Sequence, residues 1–229
     1  MNVISLPDAN SLAQFAATYI RDVLRDREFT NLALSGGSTP KAMHGYLRSL
    51  DVDWDRLNLW LGDERWVPAD HPESNARMAR DTLASFVGGR LHEIPYGQDP
   101  EIAAADYSST LTNLFDAPDL VLLGIGDDGH TASLFPGSPA LEMDGIYVAH
   151  FVPSKDVFRL TATFDFLSTA KKIVYLVSGE GKADALTELL EGSADPLPAR
   201  RVADNASDVT WLVDDAAAAR LSTTPVSRS

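Results

Sequence analysis

The chain has 229 residues, of which 45% are hydrophobic and 23% are charged, enough for one large globular domain with a substantial core. Its formal net charge of −14 argues against nucleic acid and anionic membranes as partners, because so acidic a surface repels both. No apolar run is long enough to span a bilayer, the amino terminus lacks the pattern of a signal peptide and cysteine is absent, so we expect a cytoplasmic protein without disulfides or thiolate metal sites.

The hydrophobic pattern predicts alternating helices and strands along the chain. Residues 12–24 carry apolar side chains at helical spacing, with Asn10 or Ser11 as the cap, and a buried strand at 32–34 leads into a helix from Pro40. A strand at 57–61 and a helix at 75–86 follow, and Asp99 with Pro100 marks the start of a helix to about residue 115. Further strands are predicted at 120–123, 147–152, 158–163, 173–177 and 210–213, and further helices at 182–190 and 215–221.

This alternation predicts an α/β fold, with a doubly wound, mostly parallel sheet and helices on both faces. No linker or repeat divides the sequence, so we expect a single domain over residues 1–221, with a loop at Pro196 and Pro198 and a frayed, flexible tail at 222–229. In such folds ligands bind at the carboxyl ends of the strands. Polar residues that directly follow a strand are therefore the candidates for a functional site.

The first such strand end carries glycines and hydroxyl groups, in the segment Ser35-Gly-Gly-Ser-Thr-Pro40. Gly36 and Gly37 let the backbone turn tightly, and Thr39 could cap the following helix, whose unpaired amides would face an anion. The segment also supplies three hydroxyl donors, from Ser35, Ser38 and Thr39. These features favour a phosphate site over an ordinary strand-to-helix turn, although the spacing of a Walker A loop is missing.

The next strand end is followed by Gly62-Asp-Glu-Arg65 and, further on, by Ser74-Asn75. Arg65 could bind a phosphate or stabilise an oxyanion. The alternative is that the three charged residues of this segment only pair with one another at the surface. Ser74 is expected to cap the following helix, and Asn75 could do the same.

The segment Gly124-Ile-Gly-Asp-Asp-Gly-His130 is the most informative, because a buried strand ends there in glycines, two carboxylates and a histidine. Histidine is well suited to proton transfer near neutral pH, and a carboxylate can orient it, so we predict a catalytic His130 with Asp127 or Asp128 beside it. The segment also matches the dinucleotide motif G-x-G-x-x-G, but its two carboxylates would repel a pyrophosphate. A histidine that only closes the loop by hydrogen bonding is the other alternative.

Two further cations are candidates for the same site. Lys182 follows a strand through the glycine-containing link Ser178-Gly-Glu-Gly-Lys182, and would fall in the first turn of a helix, where a cation is unfavourable unless an anion binds. Arg159, in the strand at 158–163, could join it or point to solvent. No zinc motif or serine-hydrolase elbow is present. No role is assigned to the remaining histidines, His44, His71, His92 and His150.

Taken in order, these segments resemble the family of the glucosamine-6-phosphate isomerases and 6-phosphogluconolactonases over nearly the whole chain. The resemblance implies a modified Rossmann-like α/β sheet in a single domain. The isomerases need an acid five residues beyond the histidine, where this chain has Phe135, so the lactonase branch is favoured. The implied reaction is hydrolysis of 6-phospho-D-glucono-1,5-lactone to 6-phospho-D-gluconate in the oxidative pentose phosphate pathway, with neither a metal nor an organic cofactor.

The resemblance and the chemistry of a lactone together imply a role for each candidate residue. His130 acts as a general base toward water, Asp128 orients it, and Arg65 meets the oxyanion or holds the phosphate. The implied substrate-binding residues are Ser35, Gly36, Gly37, Ser38, Thr39, Asn75, Arg159 and Lys182.

The expected partner is a small phosphosugar lactone, without nucleic acid or membrane, and the expected state is a monomer or small homo-oligomer. Three alternatives stay open. One is a glucosamine-6-phosphate isomerase or deaminase. Another is a non-catalytic sugar-phosphate-binding protein of the same fold, in which His130 would be dispensable. An NAD-linked enzyme is more distant.

Overall fold

The computed structural model describes residues 2–26, 28–192, 196–222 and 226–227, and its strands form two sheets. The strands are β1 (Asn2–Leu6), β2 (Asn31–Leu34), β3 (Asn58–Leu61), β4 (Asp63–Arg65), β5 (Leu91–His92), β6 (Leu120–Leu123), β7 (Tyr147–Val152), β8 (Val157–Ala162), β9 (Lys172–Val177), β10 (Val209–Asp214) and β11 (Val226–Ser227). Eight of them form a parallel sheet in the order β11-β1-β10-β9-β6-β2-β3-β5. The order reverses direction along the chain, as in a doubly wound sheet.

Helices cover both faces of this parallel sheet. They are α1 (Ala9–Leu24), α2 (Ser38–Leu47), α3 (Asn75–Val87), α4 (Pro100–Leu114), α5 (Phe164–Ser168), α6 (Ala183–Glu191), α7 (Pro198–Asn205) and α8 (Asp215–Ala218). Helices α1 to α3 pack into one buried cluster, and α4 to α8 into another. Successive strand residues such as Leu122 and Leu123 belong to opposite clusters, because side chains alternate across a strand. The predicted α/β fold, doubly wound with helices on both faces, is confirmed.

The second sheet is antiparallel and has three strands in the order β4-β8-β7. The sequence pattern placed 147–152 and 158–163 in the general β/α alternation, and it did not predict β4. Only residues 153–156 separate β7 from β8, too few for a parallel crossover, so the two strands form a hairpin. β4 is wholly polar and is a strand only because it pairs with β8.

Several predicted boundaries are corrected by the structure. The cap of α1 is Asp8, whose carboxylate accepts a hydrogen bond from the Ser11 amide at 2.7 Å, instead of Asn10 or Ser11. The cap positions of Ser74 and Asp99 are confirmed. Pro198 was predicted in a loop, but it begins α7, because the fixed φ of proline suits the first turn of a helix.

The ends of the chain also differ from the prediction. β1 was not predicted, yet it lies between β10 and β11 in the parallel sheet. The predicted frayed tail contains the two-residue strand β11, whose Val226 pairs with Ile4. Residues 223–225 and 228–229 of that tail lie outside the described residues. Among the described residues, no helix combines the length and apolarity needed to cross a bilayer.

A buried carboxylate joins the amino ends of the central strands. Asp119, just before β6, accepts hydrogen bonds through Oδ2 from the backbone amides of Thr30 and Asn31, at 2.7 and 3.1 Å. The Thr30 hydroxyl and the Asn31 side-chain amide donate to the same oxygen, at 3.0 and 2.9 Å. Lys171, before β9, pairs with the other oxygen at 2.7 Å. These bonds fasten β2, β6 and β9 at the edge opposite their carboxyl ends.

Candidate active site

A cavity of about 340 Å³ opens at the carboxyl ends of the central strands. Eight of the eleven residues predicted for the site line it: Ser35, Gly36, Gly37, Ser38, Thr39, Arg65, His130 and Lys182. Asp63, Gly126 and Ser178, which the sequence analysis did not select, line it as well. The other three, Asp128, Asn75 and Arg159, do not line it, but each is next to a residue that does. Asp128 contacts His130, Asn75 donates to Asp63, and Arg159 lies opposite Arg65. The cavity therefore brings together all four segments singled out from the sequence.

His130 is held in the cavity by Asp128. Its ring Nδ1 lies 2.6 Å from Asp128 Oδ1, and its backbone amide donates to the same oxygen at 3.1 Å. The imidazole also packs on the Phe135 ring, with 4.2 Å between centroids. Partial burial acts to raise the pKa of Asp128, but the hydrogen bonds from His130 outweigh it, and the pKa lies below its usual value. Asp128 is therefore ionised at neutral pH and fixes the orientation of the ring.

Gly126 allows this close approach of ring and backbone. A methyl group at position 126 would lie 2.0 Å from His130 Nδ1 and 2.6 Å from Asp128 Oδ1. The Gly126 amide donates to the His130 carbonyl at 2.8 Å and closes the loop. Glycine is thus required here because His130 and Asp128 occupy the space of a side chain, a reason that the G-x-G-x-x-G pattern does not reveal.

The glycine turn after β2 presents the start of α2 to the cavity. Gly37 is the cap residue with φ of +112°, and no side chain makes a capping hydrogen bond. The helix begins at Ser38, so the predicted capping role of Thr39 is wrong: Thr39 lies inside the first turn. First-turn amides without a side-chain partner are suited to an anion. The Ser35 hydroxyl, on a residue 6% exposed, has no hydrogen-bond partner within the part of the chain that the structure describes.

Arg65 and Arg159 lie opposite each other on β4 and β8. Arg65 Nη1 donates to the Glu73 carbonyl at 2.7 Å, and its Nε has no hydrogen-bond partner among the described residues. Arg159 is only 9% exposed, so the solvent-facing alternative is wrong, and its Nε likewise has no partner in the described part of the chain. Burial, followed by the charge of Arg65, lowers the pKa of Arg159. A partly exposed guanidinium group that lines the cavity, on Arg65, and a buried one, on Arg159, therefore lie side by side.

Glu64 is not a surface partner of Arg65, as one alternative held, but a buried carboxylate that joins β4 to the start of α3. It is 5% exposed and accepts from the Arg65, Asn75 and Ala76 amides at 2.7 to 2.8 Å and from the Ser74 hydroxyl at 3.0 Å. Burial raises its pKa above the usual value, against the effect of those backbone hydrogen bonds. These hydrogen bonds to Glu64 fix the Arg65 backbone relative to the start of α3.

Asn75 lies beneath the glycine turn. Its Nδ2 donates to the Asp63 backbone oxygen at 2.9 Å and carboxylate at 3.1 Å, and the residue is 3% exposed. A methyl group on Gly36 would lie 1.9 Å from Asn75 Oδ1. Asn75, which was predicted to bind substrate, therefore packs against Gly36 and hydrogen-bonds to Asp63.

A chain of polar contacts missed by the sequence analysis ties the His130 segment to the antiparallel sheet. Ser133 donates its hydroxyl to Asp63 Oδ2 at 2.7 Å, and its carbonyl accepts from His150 Nε2 at 2.8 Å. Asp63, Ser133 and His150 are all buried. The only signal for this contact in the sequence was the position of Asp63 directly after a strand.

Lys182 lies in a short 3₁₀ turn, Glu180–Lys182, and α6 begins one residue later, so its predicted place in the first turn of the helix is corrected. Its Nζ is 2.5 Å from Asp127 Oδ1. The two acids of the motif therefore have different partners, since Asp128 contacts His130 and Asp127 contacts Lys182. Among the described residues, no group of three His, Asp or Glu side chains could hold a metal ion.

Comparison with known proteins gives a consistent result. The family model described as glucosamine-6-phosphate isomerases/6-phosphogluconolactonase matches residues 8–211. A 6-phosphogluconolactonase of Synechocystis sp. is 38% identical over 218 residues, covering 89% of this chain and 90% of the relative. The solved 6-phosphogluconolactonase of Trypanosoma brucei has a TM-score of 0.85 at 26% identity, covering 97% of this chain and 99% of that one. A monomeric glucosamine-6-phosphate deaminase has a TM-score of 0.82 at 27% identity, covering 96% and 99%.

Proposed function

Because the chain belongs to the family of the glucosamine-6-phosphate isomerases and 6-phosphogluconolactonases, we propose that it hydrolyses 6-phospho-D-glucono-1,5-lactone to 6-phospho-D-gluconate. This is a step of the oxidative pentose phosphate pathway. The observation that carries the proposal is His130, held by Asp128 within a cavity that also contains Arg65, Lys182 and the glycine turn. The site combines a proton acceptor with groups suited to two separate negative charges.

The hydrogen bond to Asp128 determines which nitrogen of His130 is the base. The ionised carboxylate can only accept, so Nδ1 carries the proton and Nε2 has a free lone pair. Nε2 takes a proton from a water molecule that attacks the lactone carbonyl. A lactone has no amide resonance, so direct attack by water suffices and no covalent nucleophile is needed. His130 Nε2 then gives this proton to the ring oxygen, which leaves as a hydroxyl group as its bond to the carbonyl carbon breaks.

The negative charges of the substrate require two further sets of groups. The 6-phosphate binds at the start of α2 and at Lys182, where unpaired amides and an ammonium group line the same cavity. Arg65, whose Nε has no partner, meets the charge that develops on the carbonyl oxygen. Arg159 acts through its charge behind Arg65, and Asn75 acts by supporting Gly36.

Isomerase activity is the main alternative, because a deaminase shares this fold. The residue that separates the two activities is Phe135, whose ring lies against His130 where the isomerase needs an acid. A phenyl ring has no proton to exchange, so the ring-opening relay of an isomerase has no carrier at this position. A protein that only binds sugar phosphates would have no need for the His130–Asp128 pair.

Proton release on addition of freshly generated 6-phosphogluconolactone tests the proposal. Spontaneous hydrolysis is subtracted, and wild type is compared with His130→Ala. We expect rapid acid production by wild type and its loss in the variant, with kcat affected much more than KM. Acid production at the spontaneous rate with wild type would overturn the lactonase proposal, and glucosamine 6-phosphate would then be the next substrate to assay.

A cytoplasmic location, a monomeric or small homo-oligomeric state and the lack of nucleic-acid binding remain predictions from the sequence. Size-exclusion chromatography with light scattering measures the oligomeric state directly.

A further inference from the structure

The ion pair between Lys182 and Asp127 lies at the mouth of the catalytic cavity. Lys182 lines the cavity and its side chain is 30% exposed, whereas the side chain of Asp127 is 80% exposed. Within the described part of the chain, the Asp127 carboxylate has no hydrogen bond or ion pair except this one, at 2.5 Å. Asp127 therefore contributes nothing to the orientation of His130, which Asp128 provides.

Asp127 therefore neutralises the ammonium group of Lys182 before any ligand binds. A phosphate that binds Lys182 either displaces Asp127 or shares the ammonium group with it. In the first case an existing ion pair is broken, and in the second a carboxylate remains close to the phosphate, where like charges repel. Both cases lower the affinity for an anion relative to a free Lys182.

We propose that Asp127 pairs with Lys182 in the ligand-free protein, competes with phosphate for its ammonium group and thereby sets the affinity of the cavity for phosphate. This inference rests on the proposed binding of the substrate phosphate by Lys182. A phosphate dianion has enough charge to compete with one carboxylate for the ammonium group, whereas a singly charged or neutral sugar does not. Asp127 thus favours phosphorylated sugars over other anionic sugars and limits retention of the phosphorylated product.

The dissociation constant of inorganic phosphate, measured by titration calorimetry, tests this inference without any turnover. Asp127→Asn should tighten phosphate binding by about two- to fivefold, the range expected for release from an exposed ion pair. Lys182→Met should weaken binding, and the effect of Asp127→Asn should vanish when it is added to Lys182→Met, because the two act through one contact.

A matched control distinguishes the effect of breaking this ion pair from the effect of removing one negative charge from the protein. Asp184 is 78% exposed, lies in the same surface groove as Asp127 and pairs with Arg220 instead of Lys182. Asp184→Asn removes the same charge, and we expect the affinity for phosphate to change by less than the effect of Asp127→Asn. An equal effect of the two variants would overturn the proposal and assign the change to net charge.

Two further results would also contradict it. If Asp127→Asn weakens phosphate binding, Asp127 holds Lys182 in its binding position and does not compete for it. If the tightening persists in the Lys182→Met background, it does not pass through this ion pair. The titration uses phosphate alone, so its result can be interpreted even if the lactonase assay fails.

Discussion

Asp128 Oδ1 lies 2.6 Å from Nδ1 of His130, so the carboxylate fixes both the direction of the ring and the nitrogen that carries its proton. The pKa of Asp128 is held below its usual value by the hydrogen bonds from His130, which outweigh the effect of partial burial. Asp128 therefore stays ionised throughout the neutral range and can only accept from the ring.

Replacing Asp128 by asparagine should lower kcat about 10²-fold or more, within the range found for loss of general-base catalysis. An amide NH₂ group turned toward Nδ1 would favour the tautomer with the proton on Nε2, which cannot then accept one from water. Steady-state kinetics with the phosphorylated lactone measure the effect. Asp184→Asn, an exposed acid outside the cavity, should retain wild-type kcat, and equal losses in both variants would contradict the prediction.

Gly126→Ala should lower kcat by about 10²-fold while the protein remains folded, because a displacement of about 1 Å at a reacting group has effects of this size. The added methyl group would lie 2.0 Å from His130 Nδ1, so the ring must move. Gly45→Ala is the control, since nothing lies within 4 Å of a methyl group at that position in α2. Wild-type turnover in Gly126→Ala would show that the imidazole need not occupy the observed position.

Gly36→Ala should raise KM for the phosphorylated lactone by about tenfold, which corresponds to the loss of one hydrogen bond to a charged group. The cause is a clash with Asn75 Oδ1, 1.9 Å from the new methyl group. Adding Asn75→Ala removes that oxygen and should recover part of the affinity. Kinetics of the two single variants and the double variant test this, and simple additivity of their effects would exclude the clash as the cause.

His44 should make the protein less stable in acid. It is fully buried in α2, and burial lowers its pKa from 6.5 to about 4. The Thr82 hydroxyl donates to the Met78 carbonyl and so accepts from His44 Nδ1. An added proton on Nε2 would have no partner among the described residues. Because the folded pKa is depressed, the stability from neutral His44 is present above pH 6.5 and is lost as the pH falls toward 4.

Urea denaturation between pH 7 and pH 4 measures this contribution. The free energy of unfolding of wild type should fall by about 3 kcal/mol more than that of His44→Gln over this range, an upper value set by the pKa difference. Gln can still donate to Thr82 but does not titrate. Parallel pH profiles of the two proteins would show that His44 is not responsible.

The strand ends were the part of the fold best predicted from the sequence. The buried strands β2, β6 and β9 are short apolar runs that break into glycine and polar residues, and this contrast marks both the strand and the site. β4 could not be found in this way, because Asp63 to Arg65 are all charged and their strand conformation depends on pairing with β8, nearly a hundred residues away.

The candidate site could be predicted by residue type but not by the partner of each residue. Asp127 and Asp128 are adjacent and chemically identical, and only the loop geometry sends one to Lys182 and the other to His130. Asn75 was predicted to bind substrate from its place in the motif, and the pattern gave no sign that its amide also donates to Asp63. Such assignments depend on contacts between distant segments, and a single sequence carries no record of them.

Asp119 joins the strands of the parallel sheet at their amino ends only. At one edge a single buried carboxylate binds the beginnings of three strands together, through backbone and side-chain donors. At the other edge the same strands end in the turns that line the cavity. The contact that joins the strands and the residues of the candidate site therefore lie at opposite edges of the sheet, so a substitution at the site leaves the Asp119 contacts in place.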